Sequence, residues 1–83
     1  MYIAIIEMKT RRVLEIANSF RAASYAIGDY EDRGVPCRRY PCSEVEVEAY
    51  AEGKEITAIT EHVIKEDENC IQYETKRTRF EIS

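Results

Sequence analysis

Tryptophan is absent from this 83-residue chain, and glycine, proline, phenylalanine and histidine are scarce, at three, two, two and one. With His62 the only histidine, a general-base mechanism at neutral pH would have to run through that side chain. Too few glycines are present for a phosphate-cradling loop, and no acid pair has a distinctive spacing. No low-complexity tract exists, and 45% hydrophobic with 34% charged residues describes a globular chain, not a disordered one. Long apolar runs are missing too. The N-terminal stretch Met1 to Ile6 is too short to span a bilayer and lacks the basic lead-in and cleavage site of a signal peptide. A cytoplasmic protein is the expectation. Cys37, Cys42 and Cys70 should then be reduced thiols, an odd count that suggests no closed disulfide framework.

The length fits a single domain, residues 1–83. Folding at this size buries about 60–65% of the unfolded chain's surface, so stability is marginal. The net charge of −4 argues against direct nucleic-acid binding, which needs cations to displace the counterions of phosphate. Charge is unevenly spread. Residues 44–68 carry nine acids against Lys54 and Lys65, a balance of −7, which leaves +3 on the rest. Basic clusters stand at Lys9/Arg11/Arg12, Arg38/Arg39 and Lys76/Arg77/Arg79.

Residues 1–8 read as a central strand buried on both faces. Val13 to Ala17 reads as its hairpin partner across Lys9-Thr10-Arg11-Arg12, where no Gly or Asn offers a positive φ. Asn18 or Ser19 can cap a helix over 19–33, with Phe20, Ala23, Ile27 and Tyr30 as its apolar stripe and Gly34 as its stop. Gly28 inside that helix suggests a close approach to the sheet. Pro36 and Pro41 assign residues 35–41 to an edge strand. Ser43 and Glu46 form a capping-box pattern for a short helix over 44–52 closed by Gly53, with Val45, Ala49 and Tyr50 turned inward. Two strands, about 56–65 and 70–82, follow around Glu66-Asp67-Glu68-Asn69. Like-charge repulsion disfavours Glu61 opposite Glu74 and favours His62 there. The expected fold is α+β, in β-β-α-β-α-β-β order. Its mostly antiparallel sheet has four to five strands, with the main helix on one face and the short acidic helix at the rim.

Cys37, Cys42, Cys70 and His62 have the chemistry of zinc ligands, yet the favoured register puts His62 roughly 13 Å along the strand from Cys70's neighbour. Free thiols and no metal or other cofactor are expected. His62 beside Glu74 reads as a surface pair and not as a catalytic base, so no enzyme is expected. Tyr2, Tyr30 and Tyr73 belong to the core or its rim, while Tyr25, Tyr40 and Tyr50 fall off the apolar stripes.

The acids on the short helix are the leading candidate contact surface. Glu44, Glu48 and Glu52 stand at i, i+4 spacing and continue into Glu55, with Tyr40 and Tyr50 nearby to supply contact energy. Such a face suits a protein, or protein–nucleic acid complex, with a basic surface. In size, charge and architecture the chain is similar to phage-encoded inhibitors of host defence, the anti-CRISPR proteins. That likeness implies a protein–protein inhibitor without direct nucleic-acid or membrane contact. The competing reading is a homo-oligomer, such as a homodimer, that sequesters a small anionic ligand such as a signalling nucleotide through Arg38, Arg39, Lys76, Arg77 and Arg79.

Overall fold

The computed structural model describes residues 1–82. Three strands form one antiparallel sheet in the order β2-β1-β3: β1 (Tyr2–Glu7), β2 (Val13–Ala17) and β3 (Cys37–Cys42). Helix α1 (Phe20–Asp32) follows β2, and α2 (Glu44–Ala51) follows β3. The chain then makes a long antiparallel hairpin of β4 (Ile56–Asp67) and β5 (Cys70–Phe80). The expectation of one sheet is therefore corrected to two, of three and two strands. The α+β class, the antiparallel pairing and the element order stand.

The base of the hairpin packs on a face of the three-stranded sheet, with Ile56, Ala58 and Phe80 against Ala4, Ile6, Val13 and Cys42. Alternation along β1 sends Ile3 and Ile5 to one side and Ala4 and Ile6 to the other. Ile3 and Ile5 meet Ala17, Ala23 and Cys37 under α1, while Ala4 and Ile6 meet Val13, Cys42, Ile56, Ala58 and Phe80 under the hairpin base. That is why β1 carries no polar residue between Tyr2 and Glu7: both of its faces are covered. Phe80 stacks on Tyr40 at 5.7 Å, and a parallel bridge joins Ile82 to Val13.

Local signals explain most boundaries. Ser19 caps α1 by accepting from the Ala22 amide at 3.1 Å, and Gly34 turns away at φ +81. The β1–β2 turn finds its positive φ at Arg11, φ 57, a conformation disfavoured for non-glycine residues. Its guanidinium lies over the Phe80 ring at 5.8 Å. The edge strand 35–41 is found at Cys37–Cys42, where Pro41 lies opposite Ile3.

Four local readings are overturned. Phe20 is 54% exposed and not part of the buried stripe. It occupies the first turn of α1, where side chains lean toward the N-terminus and overhang the sheet; Ala22, Ala23, Ala26, Ile27 and Tyr30 make the contact instead. Gly28 faces open space, so it marks no close approach. The capping box does not close: Ser43 makes no side-chain bond, and Glu46 reaches instead to the Thr57 amide at 2.9 Å, tying α2 to β4. Val45 is 71% exposed, which leaves Ala49 and Tyr50 as the packed positions of α2.

The hairpin register holds a fifth correction. At the base Ile56 pairs with Phe80 and Ile59 with Arg77, the alignment that would continue to His62 opposite Glu74. A β-bulge between Ile59 and Glu61 absorbs Thr60, and beyond it Glu61 meets Lys76, His62 meets Thr75 and Val63 meets Glu74. Thr60 Oγ1 and Thr78 Oγ1 are 2.9 Å apart at the bulge. Past this point the hairpin leaves the body as an arm, which gives the molecule its 49 × 28 × 23 Å extents.

Candidate interaction surfaces

Helix α2 is short and buries none of its residues fully. Glu44 and Glu46 occupy its first turn, where carboxylates favour the helix dipole, and no basic residue lies in the last. Of the expected contact residues, Glu44 and Glu48 are exposed and carry no ion pair among the described residues. Glu52 pairs with Lys54 at 2.9 Å, and Glu55 with Arg79 at 3.9 Å. The two tyrosines are committed to the body. Tyr40 stacks on Phe80, and the Tyr50 hydroxyl donates to the Leu14 carbonyl at 3.0 Å.

Pairing across the hairpin changes the charge map drawn from sequence. Lys76 sits 3.6 Å from Glu61, and Lys65 bridges to Glu74 at 3.3 Å. Part of the acidic run is thus neutralised by the basic cluster that follows it. The exposed carboxylates of α2 and the 66–68 tip remain.

The five basic residues of the ligand reading do not converge on one site, although Arg38 and Arg39 both line a 450 Å³ depression between α1 and β3. Arg39 donates to Ser24 Oγ of α1 at 3.1 Å, whereas neighbouring Arg38 points to the opposite side of β3. Lys76 and Arg79 are spent on carboxylates, and Arg77 lines a small depression of 130 Å³ with Glu46, Thr57 and Ile59. Arg38 also shares a 370 Å³ depression with Arg11, Tyr40 and Phe80, with Glu7 as its acid. Arg11, at φ 57 in the β1–β2 turn, is the residue that sequence reasoning did not join to Arg38.

The cysteines are dispersed. Cys37 and Cys42 are five positions apart, so they enter opposite core clusters on the two faces of β3, and Cys70 is exposed near the arm tip. Among the described residues no group of three or more His, Cys, Asp or Glu side chains could hold a metal ion. Burial pushes both inner thiols up, with Glu46 adding to the effect at Cys42, and Glu31 and Glu7 at Cys37. Burial likewise raises Tyr30, helped by the Glu15 carboxylate. His62 is exposed and faces Thr75, while Glu74 belongs to Lys65, so the expected His62–Glu74 pair does not form.

The arm exposes a surface that sequence reasoning missed. Tyr73, assigned to the core or rim, is 75% exposed, and Ile64 and Ile71 are exposed as well. Ile64 pairs directly with Tyr73, and Ile71 is one step further out on the same face. The bulge hides this patch from a sequence reading, since the pairing beyond it is off by one from the pairing at the base.

No helix among the described residues is long and apolar enough to cross a membrane, which says nothing of strand-built membrane proteins. No family model matches the chain, and neither the curated proteins nor the solved structures contain a significant match to it.

Proposed function

We propose that this chain is a non-enzymatic binding protein that docks the acidic face of α2 on a basic, nucleic-acid-binding partner, as an inhibitor of the phage anti-defence kind would. One observation carries the reading: Glu44 and Glu48 stay exposed and without an ion pair among the described residues, while Glu52, Glu55 and Glu61 are matched by cations. Val45, exposed on the same helix, adds apolar contact that folding does not use. An acidic surface of this kind speeds encounter with a basic partner.

The test is reversal of Glu44, Glu48 and Glu52 to Lys. Exposed helix positions tolerate substitution within about 0.5 kcal/mol each, so the melting curve should barely move. Capture of a basic protein from host lysate should be lost, and wild-type association should slow with added salt. Undiminished capture by the reversed helix would refute the proposal.

A second reading is favoured by the depression that gathers Arg11 and Arg38. There an anionic small molecule would meet two guanidinium groups, and a homo-oligomer would act as its sink. Arg11→Ala and Arg38→Ala should then abolish retention of the ligand, while the triple reversal on α2 leaves it intact.

A further inference from the structure

The outer half of the hairpin has two unlike faces. Cross-strand pairing and alternation put Glu61, Lys65, Glu74 and Lys76 on one of them, joined by the ion pairs at 3.6 and 3.3 Å. The other carries His62, Ile64, Glu66, Ile71, Tyr73 and Thr75. Ile64 is 62% exposed and Ile71 56%, and neither belongs to a core cluster among the described residues. A two-stranded ribbon standing alone in water is marginally stable at best. This one projects past the core, with an ion-paired side and an uncovered apolar side.

We propose that the apolar face of the arm is a self-association surface, on which two copies pack face to face and antiparallel about a two-fold axis at the Ile64–Tyr73 pair. Charge along that face selects a second copy as the occupant. One pleat repeat toward the tip from Ile64–Tyr73 stands Glu66, and one repeat toward the base stands His62. Two repeats toward the base along β5 stands Arg77, which makes no ion pair among the described residues, and the turn at the tip carries Glu68. A two-fold axis across the strands maps tip onto base, so Glu66 meets His62 and Glu68 meets Arg77 in both halves. The alternative parallel arrangement would set acid against acid at both tips. Near Arg77 lies the small depression that also contains Glu46, but that carboxylate is held by the Thr57 amide. Three apolar side chains fall short of the roughly 800 Å² per partner of a standard interface, so the contact must run from tip to base. The antiparallel arrangement supplies that length.

The test is sedimentation equilibrium of the full chain over a micromolar to millimolar range, with the sheet signal in circular dichroism as the check on folding. Dimerisation that depends on concentration is expected, and Tyr73→Lys should abolish it with the fold retained. Should that variant unfold, Ile64→Thr keeps a β-branched residue and should weaken the dimer. Arg77→Glu should weaken it about tenfold, and adding Glu68→Arg to that variant should restore it. Cys70 is the exposed thiol, so a spin label there reports geometry: the two labels should lie about 20 Å or more apart, from three residues of strand rise on either side of the axis. A monomer throughout the range, a dimer indifferent to Tyr73 and Ile64, or labels in near contact would each overturn the proposal.

Discussion

Strand β1 and the outer half of β4–β5 draw on similar residues, isoleucine and tyrosine prominent in both, yet they meet opposite fates. Ile3, Ala4, Ile5 and Ile6 are buried on both sides of β1, whereas Ile64, Ile71 and Tyr73 lie open to solvent on the arm. Residue type alone does not decide burial. β1 is covered because α1 closes one face of its sheet and the hairpin base the other. The arm has left the reach of both layers. Residues of similar chemistry thus hold the fold together in one place and offer themselves to a partner in the other.

The comparison breaks most visibly at Phe80, where the hairpin is fastened to the body. Phe80→Ala should cost about 3–5 kcal/mol, because it empties a buried aromatic site and removes the stack with Tyr40. Urea denaturation followed by circular dichroism measures it, and a loss below about 1 kcal/mol would mean the base does not carry the core. Ile5→Ala on the other face of β1 should cost about 2–5 kcal/mol in the same assay. If the arm is dispensable to the fold, replacing residues 63–74 by Asn-Gly, a turn suited to a tight hairpin, should shift stability by only about 1 kcal/mol. Phe20→Ala sharpens the contrast from within the body, since its ring is more than half exposed; a change of about 1 kcal/mol or less is expected.

The smallest effect is alkaline. Cys37 and Cys42 bind their protons more tightly folded than unfolded, so the folded state is favoured while unfolded thiols remain protonated. Stability should hold below the ordinary thiol pKa of about 8.5 and fall as pH rises through the elevated folded values. Replacing both cysteines by Ala should flatten that alkaline decline in urea midpoints taken from pH 7 to 10. Alkylation of the native protein should meanwhile modify Cys70 first.

Features specified within a few neighbouring residues were legible in the sequence. Ser19, Gly34 and Gly53 bound helices because cap chemistry and positive φ are local demands. β1 is recognisable because double burial leaves an uninterrupted apolar run. Phe20 misled because helical periodicity marks a stripe without saying where the sheet beneath it ends. Glu46 misled because an amide of β4 outcompeted the local cap, a tertiary preference no spacing reveals. For the candidate surfaces, the acids of α2 were visible as a charge excess. Their partial neutralisation was not, since Glu61–Lys76 depends on a register that shifts at Thr60.

Thr60 also separates two properties of the arm that are usually bound together. As the extra residue opposite Lys76, it can be removed without re-pairing anything beyond it: Glu61 would still face Lys76, and Ile64 would still face Tyr73. Both surfaces of the ribbon would keep their composition. The local excess of twist that a bulge introduces would disappear. A one-codon deletion would therefore change the arm's heading and leave its chemistry untouched, so direction and adhesiveness are free to vary independently in this molecule.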